Sequence, residues 1–145
     1  MDRINRDDFY FELVHLVAKR GTCNRAQVGC ILVNDKNRVV AMGYNSSHKN
    51  TPHCTDKGCL IEDDHCLRCL HAEQAAVLNL EHEYEDLTAY VTHYPCIHCY
   101  KILTAANVHK IITYRRYGHD TEVYKHLRFE VGVDIKGYFR VGDNV

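Results

Sequence analysis

Apolar positions along this chain recur with two different periods, and the switches between them mark out alternating helices and strands. Phe9, Leu13, Leu16 and Val17 recur at i, i+4, i+7 and i+8, which predicts an amphipathic first helix ended by Gly21. Val28–Val33 and Val39–Tyr44 are short runs rich in β-branched residues. The polar stretch Asn34-Asp35-Lys36-Asn37 joins them as a hairpin. Ser46–Leu70 is polar, rich in Cys and His, and without period; a loop that long is normally functional or tied down by something. His71–Leu80 is dense in helix formers, and Leu87–Thr92 reads as a strand. Pro95 suits the first turn of a third helix, whose Cys99, Ile102, Leu103 and Ala106 share a face. Lys110–Thr113 reads as a strand, Thr121–Glu130 as a fourth helix, and Val133–Tyr138 as a last strand interrupted by Gly137. Strands alternating with helices after an opening hairpin predict a three-layer α/β domain with a mixed sheet of five strands. A chain of 145 residues is expected to form a single domain over 1–145 with a real core.

Composition narrows the function classes. Eighteen basic residues face 19 acidic ones, so no strong field exists to hold a phosphate polymer, and no nucleic-acid partner is expected. No apolar run is long enough to cross a bilayer, and the opening Met1-Asp2-Arg3-Ile4-Asn5-Arg6 is charged where a signal peptide turns apolar. The expectation is cytoplasmic residence with no membrane partner. Eight cysteines then need a reason. Cys30, inside an apolar run, reads as a small buried hydrophobe. A disulfide framework suits neither a reducing compartment nor a chain with this much core, and metal binding fits the remaining spacings better.

His71-Ala72-Glu73 is followed after 21 residues by Pro95-Cys96-Ile97-His98-Cys99. His71, Cys96 and Cys99 can fill three corners of a tetrahedron and leave the fourth for water, the layout of a catalytic zinc. Cys96 and Cys99 are three apart, so a helix puts them on one face, in the first turn where unpaired N–H groups favour thiolate. Glu73 is close enough to handle protons without occupying the metal. The pattern resembles the signature of zinc-dependent nucleobase deaminases. The chemistry expected is activation of water, with Glu73 accepting its proton and delivering it to a ring nitrogen and then to departing ammonia. A second group lies outside this set: Cys23, Cys54, Cys59, Cys66 and Cys69, with His53 and His65 beside them. A second, structural zinc is expected on Cys23, Cys54, Cys59 and Cys66, with Cys69 or His65 as substitutes.

Thr22-Cys23-Asn24-Arg25, Gly43-Tyr44-Asn45, the segment from His53-Cys54 through Gly58-Cys59 to His65-Cys66, His71-Ala72-Glu73 and Tyr90-Val91-Thr92-His93-Tyr94-Pro95-Cys96 together resemble the deoxycytidylate (dCMP) deaminases. The likeness is to the bacterial and phage branch, which includes the late-competence-operon type, and it runs from about Phe11 to Val133. It implies a cytidine-deaminase-like α/β/α sandwich and conversion of dCMP to dUMP in pyrimidine deoxynucleotide metabolism. It also implies a homo-oligomer, hexamer or dimer, with dCTP and dTTP as effectors. Carried over, Asn45 holds the sugar or base, Arg25 the 5′-phosphate through its planar fork, and Tyr117 closes over the nucleotide. The chain departs from the family twice: Ser46 follows Asn45 where glycine is common, and Gln74-Ala75-Ala76 stands where x-Asn-Ala is usual. Two other readings stay open: a deaminase of free cytidine or deoxycytidine, and a zinc-stabilised deaminase scaffold in a competence-related assembly.

Overall fold

The computed structural model describes residues 1–114 and 120–139. In chain order the elements are α1 (Arg6–Ala18), β1 (Gly29–Asn34), β2 (Val39–Tyr44), β3 (Ser46–Ser47), α2 (Cys54–Lys57), β4 (Ile61–Glu62), β5 (His65–Cys66), β6 (Cys69–Leu70), α3 (Ala72–Leu78), β7 (Leu87–Val91), α4 (Ile97–Ala105), β8 (Val108–Tyr114), α5 (Glu122–Val131) and β9 (Ile135–Tyr138). Five of the strands form one sheet in the order β2-β1-β7-β8-β9. The first two pairings are antiparallel and the last two parallel, so the sheet is mixed, as the sequence pattern predicts.

Alternation along the strands divides the core into two layers. Cys30 and Leu32 of β1 and Leu87, Ala89 and Val91 of β7 point to one face, where Ala72, Ala76, Tyr100, Leu103 and Tyr124 of α3, α4 and α5 cover them. Ile31 and Val33 of β1, Tyr90 of β7 and Ile112 of β8 point to the other, under α1. Helices on both faces of a mixed sheet give the three-layer sandwich. Cys30 is fully buried among these aliphatic neighbours, as expected of a small hydrophobe.

Three expectations shift. The buried stripe of α1 is Tyr10, Phe11, Val14, Val17 and Ala18; Phe9 and Leu16 are exposed. The reason is aromatic: Phe11 stacks on Tyr138 and meets Tyr90 edge-on, and Tyr10 also packs on Tyr90, which rotates the helix by about one residue from the aliphatic periodicity. On α4 it is Tyr100, with Cys99 and Leu103, that is buried. The stretch from Ser46 to Leu70 is not shapeless: β3 pairs with β6, and β4 pairs with β5 through a two-residue turn. Asp63 and Asp64 there take φ of 49° and 63°, the left-handed pair a tight hairpin requires.

Gly43 fixes the distance between sheet and site. A Cβ at this position of β2 would come within 2.4 Å of both Ala72 O and Ala76 N, backbone atoms of α3. Gly43→Ala is therefore expected to push α3 off the sheet and destabilise the fold by about 1–3 kcal/mol, read from the urea midpoint. A midpoint unchanged from the parent protein would show that α3 is free to shift.

Candidate active site

Two helices begin at one point on the carboxyl side of β7, where open α/β sheets place their ligand sites. His71 is the N-cap of α3 and Cys96 the N-cap of α4. The Gln74 side-chain Oε1 accepts the His71 backbone N–H at 2.8 Å and fixes the residue from behind. That is one half of a capping box, so the spacing of an N-cap residue and a Gln three later is the signal that could have assigned Gln74 a role. Ser46, the other departure from the family pattern, lies in β3 with no left-handed φ, so glycine is not required there.

The His71 Nδ1 is 3.2 Å from the Cys99 sulfur and 3.7 Å from the Cys96 sulfur. A tetrahedral zinc with ordinary bond lengths separates nitrogen from sulfur by about 3.6 Å, so the three donors fit that ion. Their chemistry, one imidazole nitrogen and two sulfurs within 4.8 Å of one another, suits it as well. Cys99 and His71 both bond to the Cys96 sulfur, joined by the Cys99 backbone N–H at 3.5 Å, and its thiol is held down to about 3. The same contacts, Cys96 first, push His71 up. Cys99 is pushed up by the Cys96 neighbour and by burial.

Glu73 stands one residue into α3 and is 4% exposed. Burial raises its carboxyl above its ordinary value, the direction that suits a carboxyl acting as both base and acid. It lines a cavity of about 290 Å³ with His71 and Cys96. Asn45 and Arg25 line the same cavity, so the structure gathers His71, Cys96, Asn45 and Arg25 with Glu73. Asn45 is buried, and its amide accepts from Val28 N at 2.8 Å and donates to Ala26 O at 2.7 Å, clamping the loop before β1. Arg25 donates to the Asp64 carbonyl at 3.0 Å and its carboxylate at 3.1 Å, so its charge is partly answered within the chain. Tyr117 lies outside the described residues.

The second cysteine group comes together against this cavity. Cys54 sulfur lies 3.6 Å from Cys66 and 3.4 Å from Cys69, and all four sulfurs of Cys23, Cys54, Cys66 and Cys69 lie within 4.8 Å of one another. Cys69 thus stands where Cys59 was expected; Cys59 is 3.6 Å from Cys23 but outside the mutually close set. Pairing of Ser47 with Cys69 pins that residue beside the cluster, whereas Cys59 follows the left-handed Gly58 at a turn. His65 lines the cavity and is not in the sulfur group. Burial first, then neighbouring thiols, pushes Cys54 up to about 12. Cys66 goes the other way: against burial, the backbone N–H groups of Arg68 and Leu60 hold it down to about 6. Cys23, Cys66 and Cys69 form one wall of the 290 Å³ cavity, so the cluster and the catalytic set share a space.

The family model for the cytidine and deoxycytidylate deaminase zinc-binding region matches residues 4–115. ComE operon protein 2 of Bacillus subtilis is 39% identical over 140 residues, covering 94% of this chain and 72% of that protein. A deoxycytidylate deaminase of Schizosaccharomyces pombe is 32% identical over 143 residues, covering 91% of this chain but 44% of the yeast protein, so the chain spans under half of that relative. Among solved structures, the dCMP deaminase of cyanophage S-TIM5 in complex with dCMP and dUMP superposes with a TM-score of 0.77 at 23% identity. That alignment covers 95% of this chain and all of the phage chain, and shows a common fold.

Proposed function

This chain belongs to the cytidine and deoxycytidylate deaminase family, and from that membership we propose that it hydrolyses dCMP to dUMP and ammonia. The observation that carries the reading is the burial of Glu73 in a cavity lined by His71 and Cys96, two members of the close donor set His71, Cys96 and Cys99. Zinc held by those three residues supplies a Lewis acid that makes water a nucleophile at neutral pH. Glu73 does the proton work. Its carboxylate takes a proton from the water that attacks the ring carbon bearing the exocyclic amine. It hands that proton to the adjacent ring nitrogen, then takes the second proton from the hydroxyl now on the ring carbon and passes it to the departing nitrogen, so that a C–O bond replaces the C–N bond and ammonia leaves. Gln74 and the α3–β2 contact at Gly43 hold His71 and Glu73 in register. Asn45 and Arg25, on the same cavity, serve as contacts to the nucleotide.

A second zinc on Cys23, Cys54, Cys66 and Cys69 completes the metal complement. The S–S separations of 3.4 and 3.6 Å approach the ~3.8 Å that a tetrahedral tetrathiolate zinc imposes. The chain is read as a cytoplasmic homo-oligomer, with exposed Val123 and Phe129 of α5 as apolar surface for a neighbouring copy. Ammonia release measured in parallel from dCMP, dCTP, deoxycytidine and cytidine tests the activity. The zinc-loaded protein is expected to prefer dCMP. Equal turnover of dCMP and deoxycytidine would move the assignment to a nucleoside deaminase, and release from none of them would end it.

A further inference from the structure

A larger cavity of about 690 Å³ adjoins the catalytic one, and His65, His93, Tyr94 and Cys96 line both. His93 stands at this junction, three residues before the donor Cys96. Its role was not legible from any motif. Among the described residues its hydrogen-bond partner is Thr92, whose Oγ1 lies 2.8 Å from His93 Nδ1. That same Oγ1 accepts the Gly29 backbone N–H at 3.0 Å. Accepting from Gly29 leaves the hydroxyl proton available for Nδ1, and the tautomer that matches this pairing carries the ring proton on Nε2. Thr92 is buried and tied to β1, so the Nδ1 edge of the ring is held from behind.

The outer cavity is built for an anion. Three imidazoles line it, His15, His65 and His93, and among the described residues no Asp or Glu does. Ile97, the first residue of α4, and Thr121, the N-cap of α5, both line it, and helix starts direct unpaired N–H groups outward. Tyr94 on the same wall donates to Asp120, which Arg128 grips at 2.5 and 2.9 Å. His15 Nδ1 donates to Phe11 O at 2.6 Å, which turns its Nε2 edge away from α1. Arg25 lies with Asp64 on the other cavity's lining and is not part of this one.

We propose that His93 is a specificity-determining residue, whose Nε2–H donates to the phosphoryl group of a nucleotide whose base occupies the inner cavity. This rests on the nucleotide-deaminase reading and deepens it: the inner cavity selects the base, and the histidine-lined outer cavity selects monophosphate over nucleoside. Burial, with His15 nearby, holds His93 low, which favours the neutral ring.

The test compares the zinc-loaded parent protein with His93→Leu, His93→Gln and Arg25→Gln, using dCMP and deoxycytidine for turnover and dUMP for binding by calorimetry. His93→Leu is expected to lower the dCMP-to-deoxycytidine ratio of kcat/KM by about tenfold to hundredfold, through KM rather than kcat. It weakens dUMP binding by the same factor. His93→Gln places an amide N–H near the Nε2 position and restores most of both. Equal losses on both substrates, no recovery by glutamine, or a phosphate-specific loss confined to Arg25→Gln would overturn the proposal. If the parent protein deaminates neither substrate, the deaminase reading fails, while the dUMP measurement still decides whether His93 holds a phosphoryl group.

Discussion

Glu73→Gln is expected to reduce kcat for deamination by about 10²–10⁴-fold while zinc content and fold are retained. The amide is nearly the size of the carboxyl and occupies a site that is 4% exposed, so packing against α3 and α4 is preserved. It can neither accept nor return a proton, and the two transfers assigned to Glu73 are removed together. His71, Cys96 and Cys99 keep their separations because Gln74, not Glu73, anchors the His71 backbone. Burial disfavours the charged form of Glu73, so a neutral amide leaves stability unchanged or higher at pH 7. Ammonia release and metal analysis on the same preparation check the claim. A variant with full zinc and more than a tenth of parental kcat would remove Glu73 from the mechanism.

How much of this was legible beforehand follows from which forces act locally. Order and type of the main elements follow hydrophobic period, and the five strands and four long helices lie where alternation and helix formers put them. His71, Glu73, Cys96 and Cys99 were legible because each donor sits at or next to a helix start, where spacing in sequence is spacing in space. The α1 face was misplaced because Tyr10 and Phe11 pack on Tyr90 and Tyr138, partners separated from them by dozens of residues. Period alone carries no information about such partners.

The cavity contacts fail to show in sequence for a related reason. Arg25 has the chemistry for a phosphate, yet Asp64 reaches it only because the β4–β5 hairpin turns back at Asp63 and Asp64. His93 has no motif of its own; its standing depends on Thr92 bonding across to Gly29 of β1. The choice of Cys69 over Cys59 is likewise a matter of pairing, since β6 is fixed by β3 while Cys59 is held by a turn. In each case a long-range contact selects among residues of the same chemistry.

Cys54→Ser is expected to have the largest effect on the architecture. Cys54 is fully buried at the start of α2, and its sulfur makes the two closest approaches to Cys66 and Cys69. A serine oxygen cannot hold a thiolate-coordinated zinc, and the zinc count is expected to fall from about two per chain to about one. Structural zinc binds with apparent free energies of about 10–16 kcal/mol in small domains, and the contribution proposed for it here is the ordering of the segment from Cys54 to Cys69. Loss of that ordering exposes the segment to proteolysis between α2 and β6 and removes the wall that Cys23, Cys66 and Cys69 give the catalytic cavity. Turnover should therefore fall with KM rising, although the substitution touches none of His71, Cys96 or Cys99. Cys59→Ser is the matched comparison: its sulfur stands outside the mutually close set, so it is expected to keep both zinc ions and the protease-resistant segment. A Cys54→Ser protein with two zinc ions per chain and an intact segment would show that the cluster binds no metal through Cys54. A Cys59→Ser protein that loses one ion would return the fourth ligand to Cys59.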